Sequence, residues 1–151
     1  MFQIALWEPE IPPNTGNIAR LCAATGSALH LIGRLGFRMD DRSLRRAGLD
    51  YWDDVVLHRH STLSEFEAAL AGARLICFSA RATRPYTQVA YRDGDCLLFG
   101  GEAHGLPDTL LERHADHAVC IPMPGGHVRS LNLATAVGIA LYEALRQLHN
   151  W

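Results

Sequence analysis

Two stretches of the chain, Leu75-Ile76-Cys77-Phe78 and Cys96-Leu97-Leu98-Phe99, are apolar without interruption. A strand with one wet face alternates apolar and polar residues, so a short unbroken run of this kind must be covered on both faces. A largely parallel sheet flanked by helices meets that demand. The rest of the chain repeats the pattern: Phe2 to Trp7, Ala28 to Ile32, Val55 to His58 and Ala118 to Ile121 are further strand candidates, with Arg74 to Ser79 and Cys96 to Phe99 as the buried pair. Between them lie helix-like segments. Asn14 is placed to cap a helix over Thr15 to Thr25 that stops near Gly26, and Ser61 or Thr62 to cap one running through Ala71 to Gly72. A short helix fits Ser43 to Ala47, another begins at Pro107, and a last one spans Asn132 to Gln147, with Leu133, Val137, Leu141, Leu145 and Leu148 near one face. Residues 80 to 94 read as loop.

The expected organisation is a single domain over residues 1–151, with 48% hydrophobic and 20% charged residues, a composition that excludes a disordered chain. The longest apolar stretches, such as Leu133 to Tyr142, fall short of the roughly 18 residues a membrane span requires. No basic residue precedes Arg20 to form a signal-peptide n-region, and Cys22, Cys77, Cys96 and Cys120 are scattered among apolar neighbours. A cytoplasmic protein with buried free thiols is the expectation. Net charge is −2, so no global basic field marks a nucleic-acid binder, and local clusters must carry any such argument. All 14 basic residues are Arg; without Lys, a P-loop ATPase or GTPase is excluded.

Four places have the residue types that chemistry needs. Gly100-Gly101-Glu102-Ala103-His104-Gly105 directly follows a strand, where open α/β sheets place ligands. Pro122 to Asn132 is a second Pro-Gly loop after a strand, and its Arg129, Ser130 and Asn132 exceed what one helix cap requires. Asn17 and Arg20 share a face near the start of the first helix. Arg34, Arg38, Arg42, Arg45 and Arg46, with two Asp among them, make a local charge of +3 suited to a phosphate backbone. His114, His117 and Cys120 are spaced three apart across a turn and a strand, so they do not share a face, and no metal is expected.

Taken in order, these motifs resemble the SPOUT class of S-adenosylmethionine-dependent RNA methyltransferases. The resemblance is carried by Glu8-Pro9-Glu10-Ile11-Pro12-Pro13-Asn14-Thr15-Gly16-Asn17-Ile18-Ala19-Arg20, by Arg45-Arg46-Ala47-Gly48-Leu49-Asp50-Tyr51, by Leu98-Phe99-Gly100-x-Glu102-x-x-Gly105-Leu106-Pro107, and by Ile121-Pro122-Met123 with Arg129-Ser130-Leu131-Asn132-Leu133. Within that class it is closest to the small tRNA (cytidine/uridine wobble) 2′-O-methyltransferases and covers essentially the whole chain. The resemblance implies an α/β fold with a deep trefoil knot in its C-terminal part, a homodimer, and a tRNA of the leucine type methylated in its anticodon loop.

By motif position, it also implies a catalytic group of Arg20, Glu102, Ser130 and Asn132. The implied cofactor residues are Phe78, Ser79, Gly100, Gly105, Ile121, Met123, Ser130 and Leu131. Asn17, Arg34, Arg38, Arg42, Arg45, Arg46, Arg129 and Tyr142 are expected toward RNA. His104 departs from the pattern, standing where Arg is familiar. A guanidinium donates and rarely accepts, so Arg20 is expected to position ribose or phosphate, with Glu102 or His104 left as proton acceptor. Ala134, Val137, Ala140 and Leu141 beside Gly138 are expected to exceed one core face and support the dimer.

Overall fold

The computed structural model describes the backbone of residues 1–151 and the side chains of 1–47 and 51–151. Six strands, β1 (Gln3–Trp7), β2 (Ala28–Ile32), β3 (Leu57–His60), β4 (Leu75–Phe78), β5 (Cys96–Gly100) and β6 (Ala118–Val119), form one sheet in the order β3-β2-β1-β5-β4-β6. Every pairing is parallel. The helices are α1 (Pro12–Thr25), α2 (Arg42–Gly48), α3 (Leu63–Ala69), α4 (Asp108–Arg113) and α5 (Leu133–His149), with 3-10 turns at Leu49–Asp54, Tyr86–Gln88 and Ala115–His117.

The unbroken apolar runs are sandwiched as the sequence requires. Successive side chains of a strand point to opposite faces. Ile4, Leu6, Leu29, Leu31, Ile76, Phe78, Leu97 and Phe99 therefore join Ile18 and Cys22 of α1 and Val137, Leu141 and Leu145 of α5 in one core. Ala5, Ile32, Leu75, Cys77, Cys96 and Leu98 pack on the other face against Phe66 of α3 and Leu110 of α4. Removing a fully buried ring such as Phe66 from this second layer is worth about 3–5 kcal/mol. Among the described residues, no helix is long and apolar enough to cross a membrane.

The structure corrects several sequence boundaries. Asn14 is not a cap: α1 begins two residues earlier, at Pro12, and Ile11 occupies the cap position without a side-chain bond. Prolines are favoured in a first turn because they carry no N–H to orphan, so Pro12 and Pro13 open the helix instead of preceding it. The β3 ladder runs over Leu57–His60 because Leu29 pairs with Leu57, while Val56 is 52% exposed. β6 stops at Val119, since Cys120 turns to Arg84 and Tyr86 for its backbone bonds. Pro107 caps α4 and Asp108 starts it.

Thr62, not Ser61, caps α3 by accepting from the Glu65 N–H, and that helix ends at Ala69. The 80–94 loop contains a 3-10 turn. On α5, Leu148 is 38% exposed and does not join the apolar face expected for it. Val137, Ala140 and Leu141 are all buried in the chain's own core, so these three, unlike the half-buried Ala134, are not available to a partner.

Candidate active site

The carboxyl ends of β4 and β5 and the segment after β6 open into a cleft of about 750 Å3, within the usual size of small-molecule sites. Its walls are apolar where Phe78, Phe99, Ile121, Met123, Leu131 and Ala136 face it, and polar where Ser79, Arg81, Glu102, Ser130 and Asn132 do. The turn that follows β5 is built on glycine. Gly105 has φ +65, a left-handed conformation, and its N–H donates to the Gly101 carbonyl at 2.9 Å. A Cβ on Gly100 would stand 2.0 Å from the Gly105 carbonyl carbon, so the turn can fold back only over a bare backbone.

Glu102 is the centre of the site's hydrogen bonding. The Glu10 N–H donates to its Oε1 at 2.8 Å, the Ile11 N–H to its Oε2 at 2.7 Å, and Asn14 Nδ2 to Oε2 at 3.1 Å. Pro12 and Pro13 have no N–H, so Ile11 and Glu10 present the free donors ahead of α1, and the carboxylate takes them. Asn14 is 6% exposed, and its Oδ1 accepts from Asn132 Nδ2 at 3.0 Å. Asn132 in turn caps α5 by accepting from the Thr135 N–H at 3.1 Å. One continuous chain thus joins the β5 turn, the start of α1 and the start of α5. Asn14, which the sequence suggests as a helix cap, instead lines the cleft and links its two sides. Its spacing inside the Pro-Pro-Asn motif was visible, but its two partners, 88 and 118 residues away, were not.

The ionisable side chains lining the cleft are Arg81, Glu102, His104 and Arg129. Arg81 is tied to the Asp108 carboxylate and donates to the Leu106 carbonyl at 2.6 Å. The hydrogen bonds accepted by Glu102 clamp the start of α1 to the β5 turn, and His104 is exposed beside it at the rim of the cleft. Three of the four thiols are held protonated by burial, which pushes Cys22 and Cys77 up to about 12 and Cys96 higher still. Among the described residues, no group of three or more His, Cys, Asp or Glu is arranged to hold a metal ion.

The model of the SpoU rRNA methylase family matches residues 1–142. The chain belongs to the SpoU methylase family. Its relatives include a tRNA (cytidine(34)-2′-O)-methyltransferase of Escherichia coli K12, 48% identical over 149 residues, covering 98% of this chain and 94% of that one. A protein of the same name from Saccharophagus degradans is 49% identical over 151 residues, covering 98% and 96%. Among solved structures, one described as giving structural insights into the 2-OH methylation of C/U34 on tRNA superposes with a TM-score of 0.96 at 51% identity, covering 100% of this chain and 98% of that one. The SpoU methyltransferase AviRb of Streptomyces viridochromogenes, in complex with the cofactor AdoMet, gives 0.86 at 25% identity, covering 99% of this chain and 61% of that one.

Within this family member, the structure gathers some of the expected residues and separates others. Phe78, Ser79, Gly100, Gly105, Ile121, Met123, Ser130 and Leu131 all line the cleft, as do Glu102, Asn132 and Arg129. Arg20 does not line it. It is exposed on α1, with its guanidinium 5.3 Å from the centroid of the Tyr51 ring. Asn17 and Tyr142 are also exposed and outside the cleft. Arg34, Arg38, Arg42, Arg45 and Arg46 form a separate exposed basic face, on which Arg38 pairs with Asp40 at 3.2 Å and Arg45 lies 5.1 Å over Trp52. The cleft's chemistry fits an adenosine-bearing ligand with a polar tail. Its apolar walls can hold a flat base, and the Ser79, Ser130 and bare-glycine edges can meet hydroxyls at close range.

Proposed function

We propose that the chain methylates the ribose 2′-hydroxyl of the wobble nucleotide in the anticodon loop of tRNA, using S-adenosylmethionine, as a cytoplasmic homodimer with a knotted C-terminal part. The observation that carries this is the cleft itself: the three motif segments, far apart in the sequence, meet there through the Glu102–Asn14–Asn132 chain. The relatives' activity supports the substrate, and the AdoMet complex of a family member supports the cofactor. A leucine-type tRNA is the isoacceptor expected.

When bound, S-adenosylmethionine supplies an activated methyl group, so the protein's task is to align a hydroxyl oxygen and help its proton leave. Phe78, Ile121, Met123 and Leu131 would hold the cofactor, with Ser130 and the Gly100 to Gly105 turn fixing its polar parts. Glu102 holds the wall of the site in place. Arg20 would position ribose or phosphate. Because it lies outside this cleft, a second copy of the chain is what would bring an Arg20 to it. The exposed apolar Tyr142 (48%) and Trp151 (67%) support a covered surface near the end of α5.

Incubating unmodified tRNA with the protein and S-adenosylmethionine, then digesting it for mass spectrometry, should place one methyl on the wobble ribose. A methyl on another nucleotide, or on ribosomal RNA alone, would overturn the substrate. Sedimentation at micromolar concentration should give about twice 16.7 kDa, and a fully active monomer would overturn the dimer.

A further inference from the structure

The segment Glu8 to Ile11 is a strap with a partner on each side. Toward the cleft, the Glu10 and Ile11 N–H groups donate to Glu102, and Glu10 Oε1 accepts from the Ala103 N–H at 3.3 Å, so the strap and the β5 turn clasp each other in both directions. Toward the basic face, Glu8 Oε2 accepts from the Arg34 N–H at 3.0 Å, and the Pro9 carbonyl accepts from the Gly36 N–H at 2.9 Å. Both contacts are tight. A Cβ on Gly101 would stand 2.3 Å from the Glu8 carbonyl oxygen, and one on Gly36 would stand 2.7 Å from the Glu10 Cα.

Glu8 itself is held at φ 48, a left-handed conformation that a long side chain adopts at a cost and that Gly or Asn would tolerate better. A carboxylate held there against its backbone preference suggests that the side chain is needed. Its observed partner is the first backbone amide of the Arg34 to Arg46 segment.

We propose that Glu8 is a positioning residue that fixes the Arg34 to Arg46 segment in register with the cofactor cleft, so that RNA gripped by the basic face presents its reacting nucleotide to the site. This rests on the reading that the segment binds tRNA. The Glu8 backbone packs against Gly101 of the cleft wall, while its carboxylate points the other way and bonds the Arg34 N–H, not a basic side chain. It acts through the backbone of Arg34, and the strap carries that position to Glu102.

The test compares Glu8→Ala, Glu8→Gln and Glu8→Gly, reading kcat and KM for tRNA, the S-adenosylhomocysteine Kd by calorimetry, and thermal melts. Losing one charge-assisted bond predicts that Glu8→Ala raises the tRNA KM about tenfold, with cofactor-product Kd and kcat within about twofold. Glu8→Gln keeps an oxygen to accept the Arg34 N–H and should restore KM. Glu8→Gly relieves the backbone but removes the acceptor, so it should resemble Glu8→Ala even if it melts higher. Gly36→Ala, which pushes the strap from its other side, should raise KM as well, and it carries the test if Glu8→Ala fails to fold.

A Glu8→Gly enzyme with wild-type KM would overturn the proposal, because only strain would then be at stake. Equal losses in tRNA KM, cofactor-product affinity and melting temperature across the set would also overturn it, because the role would be merely structural. The underlying reading fails separately: Arg42→Ala with Arg46→Ala would leave tRNA affinity and its salt dependence unchanged.

Discussion

Acid should weaken this protein through one buried imidazole. His30 is 3% exposed on β2, clustered with His58 and His60 and edged by Phe66. Its Nε2 lies 2.8 Å from the Gln3 amide oxygen and its Nδ1 lies 2.9 Å from His60 Nε2. With Nε2–H donating to Gln3, Nδ1 accepts from the His60 Nε2–H, so a second proton on His30 would set two donors against each other. Burial first, and then the neighbouring His58 and His60, lower its pKa from 6.5 to about 4. His60 is lowered too, chiefly by desolvation and by His58, with Glu65 opposing.

The unfolded chain therefore binds the His30 proton before the folded one does, and stability falls as pH drops below about 6.5 toward about 4. At 1.36 kcal/mol per pKa unit, the whole effect is at most about 3 kcal/mol, of which about 2 kcal/mol is lost between pH 7 and pH 5. For a chain of this size, that corresponds to a fall in Tm of roughly 4–8 °C. Urea unfolding of wild type and His30→Gln across pH 5 to 7 measures it. The variant should start less stable, and its loss across the window should be smaller by about 2 kcal/mol. Parallel pH slopes for the two proteins would refute the reasoning, because the acid sensitivity would then belong to other groups.

Gly100→Ala should be among the most damaging single methyl additions, because its Cβ would collide with backbone at Gly105 and Leu106; we expect lost S-adenosylhomocysteine binding in calorimetry and a Tm several degrees lower. Asn14→Ala removes one charge-assisted and one neutral hydrogen bond at the cleft wall, which predicts about tenfold weaker cofactor-product binding and a destabilisation of about 2–4 kcal/mol in denaturant titration. Arg20→Ala should abolish methyl transfer while leaving calorimetric cofactor affinity nearly intact, whereas Ser130→Ala, in the cleft, should weaken both. The reverse order of cofactor losses would invalidate the assignment of Arg20 to the substrate.

Much of the architecture follows from local chemistry that a sequence displays directly. Leu75 to Phe78 and Cys96 to Phe99 could be nothing but doubly covered strands, since each residue of a run faces one of two layers and all are apolar. Gly26, at φ 67, ends α1 as its position announces, and Asn132 caps α5 with a bond only three residues long. Residues that line the cleft were legible as well, because the glycine turn and the Ser130 to Leu131 stretch carry their family motif within a few consecutive positions.

What the chain could not display is which distant segments meet. That β1 pairs with both β2 and β5 is decided by how six parallel strands and two layers of helices bury their faces together, an energy shared over the whole core. Asn14 satisfies every local rule for a helix cap, yet two prolines begin the helix ahead of it, and its amide goes instead to Glu102 and Asn132. From the sequence, Glu102 is a candidate proton acceptor with no partner assigned to it. Only the arrival of three donors from the far end of the chain makes it a clamp, because a hydrogen-bond acceptor's role is set by whichever donors the fold places within about 3 Å.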